Sequence, residues 1–377
     1  MAAYIAELEE EEEQLQNVGR VFRDRLHPLD TYTDEEFYKK YRFSRHGATA
    51  IVDMVGDGLE HQTERNHALP ASLQVLIALN FFATGAVLDS VGTIHGVHRS
   101  SVSRCVHSVA DALCRHKNHV SNLIYLVSST SDPLPTSFPC HADVWVIKFP
   151  KSDGAVVEAI EGFYRIAQFP RVVGAIDCTH VGLHGCPLGE DEYVYVNRKG
   201  KYTLNVQLVC DSNFVITNVI ARWPGSTHDS RILQTSKLHR KFQNGQLKGI
   251  LLGDSGYPLL PWLMTPILNP QSQAERAYNN SQVKSRAIIE QVNGRLKNKF
   301  RCLIGHGMQI RPERAERIIT ACCVLYNISK QYGERQDHDE RDVEAHQDEI
   351  EEVVRQQGVR DLAAIAVRAE IVRTFDA

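Results

Sequence analysis

The chain has 377 residues, of which 43% are hydrophobic and 23% charged, a globular composition with room for more than one domain. It has no run of eighteen apolar residues, and its first residues lack the basic and then apolar order of a signal peptide, so a membrane or secreted protein is not expected. The cysteines number nine and form no Cys-x-x-Cys pair, which argues against a disulfide framework and a structural zinc site.

The net charge of −4 is unevenly distributed along the chain. Residues 1–15 carry six glutamates and no basic residue, and residues 333–377 carry thirteen acids against six arginines, which leaves +9 on residues 16–332. A basic body between acidic ends suits a protein that binds phosphate groups. Solvated ends with no such role fit the same composition, and the pattern of residues 333–377 favours an acidic helical tail.

The N-terminal part of the chain is predicted to be helical. Residues 1–30 are interpreted as an acidic lead-in and residues 31–118 as a helical DNA-binding domain with a helix-turn-helix. Apolar residues recur at helical spacing up to Ile94, Gly96 breaks the pattern, and Ser100 is a suitable N-cap for the next helix. Such a second helix enters the major groove with its N-terminal residues foremost, here Ser100, Ser101, Ser103 and Arg104. An ordinary helical hairpin fits the same pattern.

An α/β domain is predicted over residues 151–332, after a Ser- and Pro-rich linker at 119–150. A helix is expected at 152–167, followed by three strands, a helix, a strand and a helix. The strands are expected at 172–177 (with an extension towards residue 183), 202–210, 214–221 and 250–252, and the helices at about 226–242, 281–302 and 312–331. This order is that of the ribonuclease-H-like fold, in which the first and fourth strands are neighbours.

Three acidic residues are predicted to meet in that fold. Asp177 and Asp254 end apolar runs of the first and fourth strands, and Glu290 lies on the following helix beside its apolar face. Clustered carboxylates supply the hard oxygen ligands that Mg²⁺ or Mn²⁺ takes, and paired ions of this kind suit phosphoryl transfer. We therefore expect two metal ions, with Asp177 bridging both, Asp254 holding one and Glu290 the other, and water or a 3′-hydroxyl as the nucleophile.

A fourth acid, Asp229, lies in the first turn of the helix after the third strand. It is predicted either to be an additional metal ligand or to stabilise the N-terminus of that helix. His180, His184 and His228 lie nearby in the sequence, but no cysteine has a matching spacing, so zinc is not expected.

Basic residues near these acids are candidate phosphate contacts. Arg286, Asn293 and Lys297 flank Glu290 at helical spacing and are predicted to grip DNA phosphates. The turn before the second strand holds a second candidate set, Arg198, Lys199 and Lys201. A solvated loop is the alternative interpretation of that turn.

Five motifs occur in an order that resembles the PIF/Harbinger transposase superfamily and its Harbinger transposase-derived nucleases. They are GAIDCTH (174–180), NRKG (197–200), WPGSTHDS (223–230), LGDSGY (252–257) and IEQVNGRLK (289–297). The motifs cover about 170–330, and the likeness extends to about residue 70. The resemblance implies a DDE nuclease or transposase that uses divalent metal, with Asp177, Asp254 and Glu290 as its triad and Asp229 near the metal.

The resemblance also implies partners and a location. Family members cut double-stranded DNA at terminal inverted repeats and join the ends to target DNA, often with a Myb-like accessory protein that assists DNA binding and nuclear entry. A nuclear protein with a cytoplasmic pool in the absence of that partner is expected, and the pairing of two DNA ends implies a homodimer or a larger assembly. A domesticated nuclease without transposition, a DNA-binding protein with relict acids and a ribonuclease acting on RNA–DNA hybrids are the alternatives.

Overall fold

The computed structural model describes residues 27–60, 68–116, 146–184, 192–304, 307–335 and 361–376. Most of the predicted acidic lead-in, most of the predicted linker and more than half of the predicted acidic tail lie outside these ranges. In the described part of the chain, no helix is long and apolar enough to cross a membrane.

The described residues of the N-terminal part form six helices, and the fourth of these lies at its centre. They are α1 (Pro28–Thr31), α2 (Asp34–Tyr41), α3 (Arg45–Val55), α4 (Ala71–Thr84), α5 (Leu88–His95) and α6 (Arg99–His116). Helix α4 is apolar on nearly all sides and buried over most of its length. Its buried amide side chains donate to backbone carbonyls, Gln74 to Leu59 O at 3.0 Å and Asn80 to Lys40 O at 3.0 Å. Helix α4 is therefore the core helix on which the others pack.

Helices α5 and α6 lie where the helix-turn-helix is predicted. Helix α5 ends at Gly96, whose φ of 63° suits a residue without a Cβ. Helix α6 begins two residues earlier than the sequence suggests, because His98, whose Nδ1 accepts the amide hydrogen of Ser100 at 3.2 Å, occupies the capping place assigned to Ser100. The predicted boundary is wrong by these two residues, and DNA binding by the pair stays a prediction.

The α/β part is built on a five-stranded sheet in the order β3-β2-β1-β4-β5. Its strands are β1 (Val172–Gly182), β2 (Thr203–Cys210), β3 (Ile216–Pro224), β4 (Ile250–Leu252) and β5 (Leu263–Met264). Strands β1, β2 and β3 pair antiparallel, whereas β4 runs parallel to both β1 and β5. The first and fourth strands are thus neighbours, as predicted, and this mixed sheet with its helices fits the ribonuclease-H-like fold.

The helices of this part differ from the prediction in two places. They are α7 (Asp153–Ala167), α8 (Asp229–Gln234), α9 (Lys237–Gln243), α10 (Gln273–Lys299), α11 (Pro312–Gln331) and α12 (Leu362–Arg373). The single helix expected at 226–242 is two helices, because Ser236 caps α9 by accepting the amide hydrogen of His239. Helix α10 begins well before residue 281, at a capping box formed by Ser272 and Glu275.

The helical part and the sheet share one hydrophobic core. Two buried ionic side chains also join them: Lys299 at the end of α10 donates to Arg42 O at 2.7 Å, and Glu334 accepts from Ser44 N at 2.9 Å and from Ser44 Oγ at 2.6 Å. The predicted recognition helix α6 also contacts α11 of the α/β part, where Asp111 Oδ1 lies 2.6 Å from Arg317 Nη1. The exact domain boundaries stay predictions.

The C-terminal helix α12 packs on the same body. Ile371 is buried, and the ring of Phe375 lies 6.1 Å from that of Phe169. Leu362, the first residue of this helix, is exposed.

Candidate active site

Two of the predicted triad carboxylates lie on adjoining strands. Asp177 lies in the middle of β1, which runs on past it, and its side chain is half-buried. Asp254 follows the end of β4, where Gly256 donates its backbone N–H to Asp254 Oδ1 at 3.1 Å. Because Ala175 on β1 pairs with Leu252 on β4, both acids occur just beyond the same point of the sheet.

The charges around Asp177 are strongly negative. Burial raises the pKa of the Asp177 carboxyl well above its usual range, and the charge of Asp254 raises it further. Asp229 acts in the same direction, whereas the Arg286 guanidinium opposes them. Like charges that are held close disfavour ionisation, and the charges of Asp254 and Asp229 both act on Asp177 in this way.

Glu290 is on α10, as predicted, but its carboxylate faces a cation. The side chain is 53% exposed, and Oε1 lies 2.7 Å from Arg286 Nη2, one helical turn away. Among the described residues, no three acidic, histidine or cysteine side chains converge closely enough to hold a metal ion. The three acids of the predicted triad therefore lie on adjoining elements. Glu290 is turned towards Arg286, and the positive charge of Arg286 offsets the negative charge of Glu290.

The polar residues of α10 that follow Glu290 face β1. Asn293 Nδ2 donates to Asp177 Oδ2 at 2.9 Å, and Lys297 Nζ donates to His180 O at 3.0 Å. Burial lowers the pKa of Lys297, and the charge of Asp177 raises it in part. Both residues were predicted to grip DNA, but the structure gives them partners within the protein, and Asn293 is only 8% exposed.

Two buried polar atoms in this region point to further binding capacity. In the part of the chain that the structure describes, Asn293 Oδ1 and Arg286 Nε are buried without a hydrogen-bond partner. Leaving such groups unsatisfied costs about 1–3 kcal/mol each. An uncompensated amide oxygen beside Asp177 and Asp254 is a suitable additional donor for a hard cation.

The donor chemistry of the cleft therefore fits Mg²⁺ or Mn²⁺. Asp177 and Asp254 supply carboxylate oxygens, and Asn293, which is hydrogen-bonded to Asp177, supplies a neutral one. Mutual repulsion among the acids is the electrostatic condition that a divalent cation relieves. Glu290 lies on the neighbouring helix α10 and is paired with Arg286 through Oε1.

Asp229 is fixed by a neighbouring strand. It is the first residue of α8, earlier in the helix than predicted, and its Oδ1 accepts from Asn205 Nδ2 on β2 at 2.8 Å. The preceding turn lies tightly against β2, since a Cβ at Gly225 would collide with Thr203 Oγ1 and Tyr195 O. The hydrogen bond to Asn205 is thus a second structural reason for an acid at this position, besides its favourable interaction with the dipole of its own helix.

Sequence reasoning missed the polar residues on the other side of β1. Cys178 follows Asp177, so its side chain points to the opposite face, where Sγ lies 3.2 Å from Tyr257 Oη. Burial raises the pKa of both groups well above their usual values. The sequence signal that could have indicated these buried polar groups is in β2. There Asn205 and Gln207 alternate with apolar residues, and the whole strand is buried.

The basic turn before β2 lies at the rim of this region. Asn197 Oδ1 accepts the amide hydrogens of Lys199 at 2.9 Å and of Lys201 at 3.0 Å, which leaves both lysine side chains exposed. Arg198 Nη2 lies 2.8 Å from Nδ1 of His228, the residue before Asp229. The turn is thus held next to an acid of the cleft.

The other predicted DNA contacts lie at the start of α6. Ser100 and Arg104 are exposed at the start of α6, whereas Ser101 and Ser103 are half-buried. His180 Nδ1 lies 3.0 Å from Thr203 Oγ1.

Comparison with known proteins shows which family of proteins this sequence is similar to. The sequence profile described as "DDE superfamily endonuclease" matches residues 176–327. The chain is similar to "Putative nuclease HARBI1" of Homo sapiens, with 35% identity over 308 residues that cover 81% of this chain and 80% of the relative, and to its Xenopus laevis counterpart at 32%. It is also similar to "Protein ALP1-like" of Arabidopsis thaliana, with 27% identity over 69% of this chain and 61% of the relative. No solved structure matches.

Proposed function

The chain belongs to the PIF/Harbinger superfamily of DDE endonucleases, and from this premise we propose that it is a nuclease that cuts double-stranded DNA with divalent metal ions. The observation that carries the proposal is the position of Asp177 and Asp254 just beyond the paired residues Ala175 and Leu252 of β1 and β4, where burial and the charge of Asp254 raise the pKa of Asp177. Two half-buried carboxylates that repel each other are costly for the fold, and they are useful where a cation is bound.

In this proposal, Asp177, Asp254 and Glu290 are the catalytic acids and hold the metal together with Asp229. The bound ions, Mg²⁺ or Mn²⁺, supply the charge that activates a water or a 3′-hydroxyl and stabilises the leaving oxygen. Asn293 orients Asp177 through its hydrogen bond to Oδ2. Asn205 orients Asp229 in the same way. The chain itself supplies no covalent nucleophile in this scheme.

Arg286 has two successive roles in the proposal. It pairs with Glu290 at 2.7 Å until that acid turns into the cleft. The guanidinium is then released beside the reacting centre, where its fork of N–H donors suits a DNA phosphate. The buried Nε without a partner supports this second role.

DNA contacts outside the cleft are proposed at two exposed places. One is the start of α6, with Ser100, Ser101, Ser103 and Arg104, and the other is the turn with Arg198, Lys199 and Lys201. The turn is supported by its link to His228, because a phosphate bound there lies next to the acids.

Transposition is the finer proposal, and it depends on more than cutting. All four acids are present, so joining of cut transposon ends to target DNA by the same chemistry is compatible with the site. The relatives are named as nucleases, which favours cleavage by a domesticated protein over complete transposition. A Myb-like accessory protein, assembly as a homodimer or larger, and nuclear entry with that partner are proposed on the family resemblance alone.

Nicking of supercoiled plasmid in Mn²⁺ tests the proposed function, because it needs no cognate DNA end. Wild type, Glu290→Gln and the control Glu370→Gln are compared, with DNA binding measured in parallel. The proposal predicts metal-dependent cutting by wild type and by the control, and loss of cutting with intact binding in Glu290→Gln.

The alternatives give different results in the same assay. DNA binding without cutting in all three proteins supports a DNA-binding protein with relict acids. A preference for cutting RNA–DNA hybrids over duplex DNA supports a ribonuclease.

A further inference from the structure

A groove separates the N-terminal half of α6 from the segment that leads into α11. Its main hollow has a volume of about 440 Å³, and its walls include Leu88, Ser103, His107, Gln309, Arg311 and Arg314. A second hollow of about 250 Å³ shares Leu88, Ser103 and Gln309 with the first and continues to Arg99 and Ser100 at the start of α6. The two hollows together are named the α6–α11 groove.

The α6–α11 groove has an excess of positive charge. Arg311 and Arg314 are exposed, and no acidic side chain among the described residues forms an ion pair with either of them. Neighbouring arginines differ in this respect, because Arg317 pairs with Asp111 at 2.6 Å and Arg99 with Asp89 at 3.7 Å. Two guanidinium groups of α11 are thus left to attract an anion.

Burial and the positive charge of the groove both lower the pKa of the half-buried His107 in its wall. Burial lowers the pKa of His107, and the charge of Arg314 lowers it further, while Asp111 opposes the shift and Arg317 adds to it. Helix α11 also begins here, with Arg311 as an N-cap residue whose side chain does not cap it and with Pro312 as its first residue. The positive end of the helix dipole adds to the field of the two arginines.

We propose that the α6–α11 groove binds a phosphodiester of the DNA backbone, held by Arg311 and Arg314 of α11 and by the Ser103 hydroxyl of α6. The inference rests on the proposed function, because it takes DNA as the substrate. The groove runs along the first turns of the predicted recognition helix, and a helix in the major groove has DNA backbone beside it. The exposed Arg104 is then left for base edges, while the groove sets the position of the duplex.

The same contact links DNA position to the catalytic sheet. Helix α11 packs along β3, where the Asn327 side chain accepts the amide hydrogen of Ile216 at 2.9 Å and donates to Ile216 O at 2.8 Å. A phosphate held at the start of α11 is therefore held by an element fixed to the sheet that carries Asp177. Because of this connection, the distance along the DNA between the recognition helix and the cleft is fixed.

The salt dependence of DNA binding tests this inference. Binding of fluorescently labelled duplexes of unrelated sequence is measured by anisotropy over a series of KCl concentrations. The proteins compared are wild type, the double variant Arg311→Gln/Arg314→Gln, and the control Arg373→Gln on α12, which is also exposed. Thermal melting verifies that all three are folded.

Loss of one phosphate contact lowers the magnitude of the slope of log K against log[KCl] by about 0.9, so the double variant, which loses both arginines that hold this phosphodiester, is expected to lose about 1 from that slope. Its loss of affinity should be equal for all duplexes, and the control should behave as wild type. An unchanged slope in the double variant, with normal binding by wild type, overturns the inference and leaves the proposed function intact. Failure of wild type to bind any duplex overturns both.

Discussion

Replacement of Asn293 by leucine tests how the protein prepares Asp177 for metal. Asn293 is nearly buried, and its Nδ2 is 2.9 Å from Asp177 Oδ2, so leucine of similar size removes a donor while it keeps the packing. Asp177 already has a pKa well above its usual range because of burial and the charge of Asp254. Loss of a donor to the ionised carboxylate raises that pKa further.

The magnitude follows from the kind of hydrogen bond that is lost. A hydrogen bond to a charged group contributes about 1.5–3 kcal/mol, which corresponds to a factor of about 10 to 100 in an equilibrium constant. Loss of a partner that orients a metal ligand costs about 10- to 100-fold in metal affinity. Because metal binds the deprotonated carboxylate, the affinity should fall as the pH is lowered, and it should fall at a higher pH in the variant than in wild type.

Calorimetric titration with Mn²⁺ at several pH values measures both effects. Asn298→Leu, on the same helix and half-buried, is the matched control. Equal Mn²⁺ affinity and equal pH dependence in Asn293→Leu and wild type would refute the assigned role of Asn293.

Three further predictions concern charged groups elsewhere in the structure. Arg286→Gln removes the ion pair of the exposed Glu290, which contributes up to about 1 kcal/mol. Calorimetry should then show that Mn²⁺ binds up to about fivefold more tightly, because Glu290 no longer pairs with Arg286. Weaker Mn²⁺ binding in the variant contradicts the idea that Arg286 and the metal compete for Glu290. Burial lowers the pKa of His95, so as the pH falls below about 6.5 the unfolded chain takes up a proton on this residue before the folded protein does, and the free energy of unfolding declines. His95→Gln should therefore flatten this part of the pH profile of urea unfolding. Equal pH dependence in the variant and in wild type counts against this role of His95. Glu334→Ala removes the buried acceptor of Ser44 and should lower the free energy of unfolding by about 2–3 kcal/mol in urea, whereas a change within about 0.5 kcal/mol would show that this connection is unimportant.

The central strands and their acids could be predicted because the signals are local. Short apolar runs before Asp177 and Asp254 indicate buried strands, and the order of elements makes the first and fourth strands neighbours. The pairing of Ala175 with Leu252 confirms that relation. The two-residue strand β5 was missed because so short a run carries no periodicity.

Strand β2 shows where periodicity is misleading. Its alternation of polar and apolar residues is typical of a strand with one solvated face, yet every residue of β2 is buried. Asn205 and Gln207 therefore lie in the interior of the protein, and Asn205 holds Asp229. A polar residue in a central strand is better interpreted as an internal hydrogen-bonding group.

The direction of the basic side chains on α10 could not be deduced from their spacing. Lys297 and Lys299 contribute to the positive charge of this helix, but they donate to the carbonyls of His180 and Arg42. Only the packing of β1 and α2 against the helix decides this outcome. The cations of the α6–α11 groove were missed for the complementary reason, since Arg311 and Arg314 are far from Ser103 in the sequence and meet it only through the fold.

Anomalous diffraction from crystals grown with Mn²⁺ is the most direct test of the proposed metal site. We predict manganese peaks at about 2.1 Å from carboxylate oxygens of Asp177 and Asp254, with Glu290 moved from Arg286 towards the metal. Manganese bound elsewhere, with Glu290 still paired with Arg286 and no peak beside Asp177, would contradict the account of this cleft as a metal-dependent nuclease site.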